Sequence, residues 1–258
     1  MGKKPEVKKE EEAIKIERIK LLNVPIDIIA LEQLEPLVYE FLESKEPKNI
    51  ILLSLWDLLR ARRNSEYRGY VQRAALIIPI SKSIISGARF LTGKKPERYM
   101  PFDFVINLLN ILESRNYSAY LLGGKRRILL KTEKNISQTF PRLRIVGRYV
   151  GAFKKHEEAD IVEAIRKASP SLLLTGKGVR GGELWIARNS QKISNGLRLW
   201  CSDLFDVFAE KRQRPSHSAF DHGMEWVGYC FQRPYKFFRV FLYIYYNILL
   251  LVYRIFHL

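Results

Sequence analysis

Cysteine is scarce in this chain of 258 residues, where Cys201 and Cys230 are the two present. Two thiols exclude a disulfide framework and a cysteine-rich zinc site. Histidine is almost as rare, with four. His217 and His222 flank Asp221, but three such groups on a short loop fall short of the four convergent ligands of a structural zinc site. No metal and no cofactor is therefore expected. Acidic residues are outnumbered, 27 Asp and Glu against 44 Lys and Arg, which leaves a formal net charge of +17. That imbalance implies an anionic partner: nucleic acid, a phosphorylated ligand or an acidic membrane surface. The N-terminus has no apolar signal core. Residues 1–18 alternate Lys and Glu and read as a solvated tail, so the protein is expected in the cytoplasm. No internal repeat or low-complexity stretch stands out.

A long apolar run is also missing. The longest, residues 240–253, spans fourteen residues with Asn247 as its one strongly polar member. A relaxed transmembrane helix needs about 20. Arg239 and Arg254 flank the run. On a helix, Lys236, Arg239, Tyr243, Tyr246, Asn247, Tyr253, Arg254 and His257 share one side, and Phe238, Phe241, Leu242, Ile244, Ile248, Leu251, Val252, Ile255 and Phe256 the other. Leu250 is the one apolar residue in the polar stripe. The pattern predicts a helix lying in a membrane interface, with cations and tyrosines at headgroup level. The alternative is a helix packed on the body of the protein or on a second subunit.

What is present is ample material for a core, at 47% hydrophobic and 12% aromatic residues. Short apolar runs alternate with helical patterns. Strands are expected at 50–55, 75–80, 118–122, 144–146, 171–175 and 197–201, the last carrying a buried Cys201. Helices are expected after the first strand through Arg60, Arg62 and Arg63, then at 83–91, 102–115, 128–139 and 157–168, and through Trp185. Strand, loop and helix in this order predict a mostly parallel sheet covered on both faces, with ligands beyond the carboxyl ends of the strands. Two glycine turns fall there. Gly123-Gly124-Lys125-Arg126-Arg127 has the ingredients of a diphosphate cradle: close backbone approach, a helix start and three cations. It lacks the Gly-Lys-Ser/Thr ending of a Walker motif, and a glycine pair after a strand is often just a turn. Gly176-Lys177-Gly178 is equally generic alone. Arg60, Arg62, Arg63, Arg68 and Arg73 could form a basic helix face for nucleic acid. A solvated helix is the plainer reading; no recognised nucleic-acid module is present, and no nucleic-acid partner is expected.

The order of several segments is more specific than any one of them. They are Asn23-Val24-Pro25-Ile26-Asp27, Ala61-Arg62-Arg63-Asn64-Ser65-Glu66-Tyr67-Arg68, Pro96-Glu97-Arg98-Tyr99-Met100-Pro101-Phe102-Asp103, Leu121-Leu122-Gly123-Gly124-Lys125 and residues 145–153. Gly176-Lys177-Gly178, Glu183-Leu184-Trp185-Ile186, Phe205-Asp206, residues 211–215 and Glu225-Trp226 complete the series. In this order, over residues 23–236, they resemble the WecB/TagA/CpsF glycosyltransferases (glycosyltransferase family 26).

The resemblance implies a Rossmann-like α/β domain and an inverting, metal-independent hexosyltransferase at the inner face of the plasma membrane. It would pass an N-acetylmannosamine-type sugar from a UDP-sugar donor to a polyprenyl-diphosphate-linked sugar in cell-surface polysaccharide biosynthesis. It also leaves room for a homo-oligomer. The domain division expected is a tail (1–18), an α/β glycosyltransferase domain (19–203) and a basic appendage ending in the amphipathic helix (204–258). Donor-binding residues implied are Arg98, Gly123, Gly124, Gly178, Glu183 and Asp206. Lys211, Arg212, Arg214, Arg233, Lys236 and Arg239 are implied for the acceptor diphosphate and an anionic membrane surface.

The chain also departs from the family. Thr-x-Asn reads Ser54-Leu55-Trp56 here, so a hydroxyl stays and an amide becomes an indole. Pro-Asp-Gly, which holds the family's general base, reads Pro79-Ile80-Ser81. Ile80 cannot accept a proton. Pro-x-Gln-Glu reads Arg180-Gly181-Gly182-Glu183, and the glycine pair before Phe-Asp reads Ser202-Asp203. Two readings follow. In one, another carboxylate serves as base, with Asp57 and Asp203 nearest in sequence and Ser54 beside them. In the other, the chain is a non-catalytic paralogue that binds lipid-linked glycan or a partner enzyme.

Overall fold

The computed structural model describes residues 16–193, 195–214, 216, 220 and 239–256. The chain enters as a hairpin of β1 (Glu17–Leu21) and β2 (Val24–Ile28), turning on Leu22 and Asn23, both at positive φ. Helix α1 (Leu31–Glu43) follows. Strands and helices then alternate: β3 (Lys48–Leu53), α2 (Leu55–Arg63), α3 (Ser65–Gln72), β4 (Leu76–Pro79), α4 (Lys82–Thr92), α5 (Pro101–Ser114), β5 (Ser118–Leu122), α6 (Arg126–Thr139) and β6 (Arg144–Tyr149). After them come α7 (Glu158–Ala168), β7 (Leu172–Gly176), α8 (Glu183–Arg188), β8 (Leu197–Ser202) and α9 (Leu204–Phe208). The last described helix is α10 (Arg239–Phe256). The hairpin, α1, α3 and α9 are additions to the elements expected from sequence.

Strands β3 to β8 form one six-stranded sheet in the order β4-β3-β8-β7-β5-β6, with every pair parallel. A parallel sheet covered on both faces needs apolar side chains in both directions, which is why these strands read as unbroken apolar runs. Alternate residues divide between the faces. Ile50, Leu76, Leu121, Leu174 and Leu199 pack with Leu34 of α1, Phe104 of α5, Leu129 of α6 and Phe205 of α9. Ile51, Leu53 and Ile77 pack with Leu58 of α2, Tyr70 of α3 and Ile84 of α4. Tyr120, Leu122 and Leu173 pack with Ile165 of α7 and Trp185 of α8. Cys201 is buried in β8, as its apolar setting in the sequence implies. The chain leaves β3 toward β4 but reaches β8 from β7 on the other side. Loops after β3 and β8 therefore separate at the carboxyl edge, where open α/β sheets hold ligands.

Helix α10 lies against α4 and the hairpin side of the sheet. Tyr246 and Leu250 are buried there, with Leu242, Leu249 and Tyr253 partly covered beside them. This corrects the orientation expected from sequence. Two tyrosines of that stripe, Tyr246 and Tyr253, face the protein while Tyr243 stays exposed, and Leu250, the apolar residue in the stripe, belongs to the packed face. Phe241, Ile244, Ile248, Leu251, Ile255 and Phe256 remain exposed on the opposite side. Among the described residues, no helix is long and apolar enough to cross a membrane.

Candidate active site

A cavity of about 520 Å³ opens at the carboxyl ends of β3, β4 and β8. Its wall begins with Ser54, the residue that caps α2. The Ser54 hydroxyl accepts from the Asp57 backbone N–H at 3.3 Å. In return Asp57 Oδ2 accepts from the Ser54 hydroxyl at 2.5 Å and from the Ser54 backbone N–H at 3.1 Å. Ser-x-x-Asp at a helix start makes this reciprocal box, which satisfies donors the first turn would otherwise leave orphaned. Both bonds to Asp57 fall on Oδ2, so Oδ1 keeps its lone pairs for another donor.

Asp57 is also a line of the cavity wall. Burial raises its pKa, the bonds from Ser54 pull it back, and the negative Glu183 raises it again, with a net position of about 6. A carboxyl poised there is deprotonated near neutral pH and still basic enough to take a proton.

Beneath Asp57 the cavity is polar. Arg60, one turn along α2, pairs with Glu183 of α8 at 3.1 Å and stacks its guanidinium 4.1 Å from the centre of the Tyr67 ring. Tyr67 and Tyr70 of α3 are buried, and burial, followed by the nearby carboxylates, pushes both phenols well above their ordinary range. They are neutral donors. The Tyr70 hydroxyl is buried with no hydrogen-bond partner among the described residues. Sequence reasoning singled out neither tyrosine, although Tyr67 sits inside a matched segment. Nothing in local spacing signals that α2, α3 and α8 converge.

The other rim is basic. Arg212 donates to Asp203 Oδ2 at 2.8 Å, and Lys177 reaches Asp203 Oδ1 at 3.2 Å. Burial opposes the charge on Asp203, but the two cations outweigh it and hold its pKa low. Of the two carboxylates nearest the altered positions, Asp57 is thus the stronger base. Arg214 approaches Asp103 at 3.5 Å and lines the cavity with Arg212. Lys211 is exposed, and its N–H donates to the Asp206 carbonyl at 2.9 Å. Asp206 itself is buried in α9 against Lys177; its Oδ1 has no partner among the described residues. Arg98 stands behind the cavity wall: it donates to the carbonyl oxygens of the lining residues Ile80 and Phe220, and its guanidinium lies 3.7 Å from the Phe220 ring centre.

The glycine turns have a packing role. Gly123 sits at φ +137°, where a Cβ would come 2.7 Å from the Gly176 backbone nitrogen. The N–H of Gly124 donates to the Lys177 carbonyl at 2.7 Å, and Gly178 packs on Gly151. These residues let the ends of β5, β6 and β7 approach one another. None of them lines the cavity.

The altered positions are visible in place. Ile80 presents a hydrocarbon side chain to the cavity after β4. Trp56 stands at the cavity wall and is 57% exposed. The arginines read as a possible nucleic-acid face do not act together: Arg62 and Arg63 stack on Tyr253 and Tyr245 of α10, and Arg68 donates to the carbonyls of Ala61 and Arg62. Arg233, Lys236, His217, Asp221 and His222 lie outside the described residues, and of Arg239 only the backbone, at the start of α10, is described. Among the described residues no three His, Cys, Asp or Glu side chains are placed to share a metal ion.

The sequence has counterparts among known proteins. Over 180 residues, 70% of each chain, the sequence is 18% identical to an N-acetylglucosaminyldiphosphoundecaprenol N-acetyl-beta-D-mannosaminyltransferase of Bacillus subtilis (strain 168). The profile described as "Glycosyl transferase WecG/TagA/CpsF family" matches residues 19–257. With nearly the whole chain covered, the protein belongs to the WecG/TagA/CpsF family of glycosyltransferases.

Proposed function

We propose that this protein transfers an N-acetylmannosamine-type or other hexosyl residue from a UDP-sugar to a polyprenyl-diphosphate-linked sugar, with Asp57 as general base. The observation that carries the reading is the Asp57 carboxyl, on the cavity wall with a pKa near 6. An acceptor hydroxyl would attack the anomeric carbon and give its proton to Asp57. The bond from that carbon to the diphosphate oxygen breaks, and UDP leaves with the electron pair. Attack opposite the leaving group inverts the centre. Arg212 and Arg214 on the cavity wall, with Arg98 behind it, supply positive charge for diphosphates. Ser54 holds the base through its hydroxyl.

The acceptor class follows that of the Bacillus subtilis relative, and the exposed apolar ridge of α10 supports work at a membrane surface. A helix with one face packed and the other apolar and open, with Arg254 beside Phe90, suits an interfacial site. Charge of +17 suits an anionic leaflet.

UDP release from a panel of UDP-hexosamines with a short-chain prenyl-diphosphate sugar tests the proposal. Release that falls about 10²–10⁴-fold in Asp57→Asn is expected, since general-base catalysis contributes on that scale. Ile80 at the family's base position favours a second reading, a non-catalytic glycan-binding paralogue. Absence of UDP release with every donor, alongside retained acceptor binding, would establish that one.

A further inference from the structure

Trp56 is an exposed indole on the wall of a ligand-sized cavity, next in the chain to the proposed base. Large aromatic side chains are normally covered, because each buries extensive apolar surface on folding. This one is 57% exposed. Its helical neighbour at i+4, Arg60, is the residue best placed to stack on it. Arg60 is instead committed to Glu183 and to the Tyr67 ring. Among the described residues no ring or guanidinium stacks on Trp56. Ser54 and Asp57 fix the first turn of α2 from both sides, so the indole is carried on a rigid base.

We infer that Trp56 is the stacking platform for the acceptor's sugar ring. The inference rests on the proposed role of Asp57 and adds what selects the acceptor. A general base must lie within hydrogen-bond reach of the hydroxyl it deprotonates. The ring bearing that hydroxyl therefore sits beside Asp57, and the adjacent open surface is the indole. A pyranose presents an apolar face of C–H groups, which an indole covers, while its hydroxyls remain free at the ring edge for Asp57. Acceptor rather than donor is favoured because a lipid-linked sugar must enter with its carrier left outside. The half-exposed wall of the cavity, not its polar floor, meets that demand. The Asn-to-Trp departure from the family pattern then becomes a change in how the acceptor ring is held.

The test uses full-length protein and farnesyl-diphosphate-linked N-acetylglucosamine as probe, with UDP alone as control. Isothermal calorimetry reads acceptor affinity, and steady-state kinetics reads KM for each substrate. Trp56→Ala should weaken acceptor binding and raise acceptor KM at least tenfold. Its kcat at saturating acceptor should stay within about threefold of wild type, and the affinity for UDP should be unchanged. Trp56→Phe, which retains an aromatic face, should recover most of the acceptor affinity, whereas Trp56→Asn should not. Acceptor should also quench or shift tryptophan emission in wild type by a component missing in Trp56→Phe. Unchanged acceptor affinity in Trp56→Ala, a loss confined to UDP, or a wild-type protein that binds no acceptor would each overturn the inference. Calorimetry separates this outcome from failure of the catalytic reading. A protein with no turnover that binds acceptor through Trp56 sinks the proposed reaction and keeps the platform.

Discussion

Tyr246 of α10 lies over Gly87 of α4, its hydroxyl donating to the Ser83 carbonyl at 3.0 Å. A Cβ on residue 87 would come 1.9 Å from that hydroxyl oxygen. In a free helix, alanine is better than glycine by roughly 0.5–1 kcal/mol. Here the sign reverses, because the methyl must displace the phenol that anchors α10. Gly87→Ala should cost about 1–3 kcal/mol, the usual scale of overpacking. Amide exchange across 239–256 should accelerate. Tyr246→Phe alone should cost about 1 kcal/mol for one lost hydrogen bond. The double variant should recover part of the Gly87→Ala loss, since the clashing oxygen is gone. A stabilised Gly87→Ala would mean that α10 does not dock this way.

The pH dependence centres on Asp57. Its folded pKa of about 6 lies above the ordinary carboxylate value of 3.8, chiefly through burial. The folded state therefore holds the proton more tightly than the unfolded chain, and stability falls as pH rises between about 4 and 6. Catalysis needs the opposite state. Transfer rate should climb with pH to a midpoint near 6 and level off above it. Asp57→Asn, which keeps an acceptor for the Ser54 cap, should abolish that limb. It should also be more stable than wild type above pH 6, by on the order of 1–2 kcal/mol, and lose the advantage below pH 4. Thermal melts at both ends of the range check the crossing.

Much of the sheet was legible because its physics is local. Ile50–Ile51 and Ile77–Ile78 each point to both faces, and a strand buried twice has nowhere to put a polar residue. Hairpin β1–β2 was not legible. Its turn uses Leu22 and Asn23 at positive φ, where Asn-Gly is the usual signal, and a leucine there is read as core. Helix α1 carries Pro36 in its interior, which argues against a helix by propensity. Individual site residues such as Ser54, Asp57 and Glu183 could be named from sequence, but their meeting could not. Asp57 is joined to Glu183 by the sheet order that brings β3 beside β8, and Arg60 by a salt bridge across 123 positions. Orientation of α10 was equally hidden. An amphipathic pattern gives two faces, but which one meets protein depends on a glycine in α4.

Asp27 shows the opposite case, a matched segment whose role is structural. Its buried side chain accepts from Arg18 at 2.6 and 2.9 Å and from the Ile77 backbone N–H at 2.7 Å. These bonds tie the hairpin to β4. Truncation leaves the buried Ile77 N–H without its acceptor, while Arg18 keeps the carbonyls of Ala74 and Ala75. Asp27→Ala should therefore cost about 1–3 kcal/mol, the scale for a buried donor left unsatisfied, with little added by the partly exposed Arg18. Denaturant melts should show the loss, and activity per folded molecule should be retained. A variant that folds normally yet loses transfer would move Asp27 into the chemistry.

The outward face of α10 separates membrane engagement from folding. Ile248 and Leu251 are more than half exposed, while Leu250 between them is buried. Substituting glutamate at both exposed positions should change stability by no more than about 0.5 kcal/mol per site, as surface changes usually do. Leu250→Glu should instead destabilise the docked helix, because it puts a charge among Tyr246, Leu249 and the α4 residues. Sedimentation with vesicles containing anionic lipid reads the other property. Binding should fall at least tenfold in the Ile248→Glu, Leu251→Glu variant, since the changes remove apolar insertion and add like charge to the leaflet. Transfer to a water-soluble short-chain acceptor should persist, because no described residue of α10 lines the cavity. Loss of both activities together would mean that α10 shapes the active site and does more than bring the enzyme to its lipid.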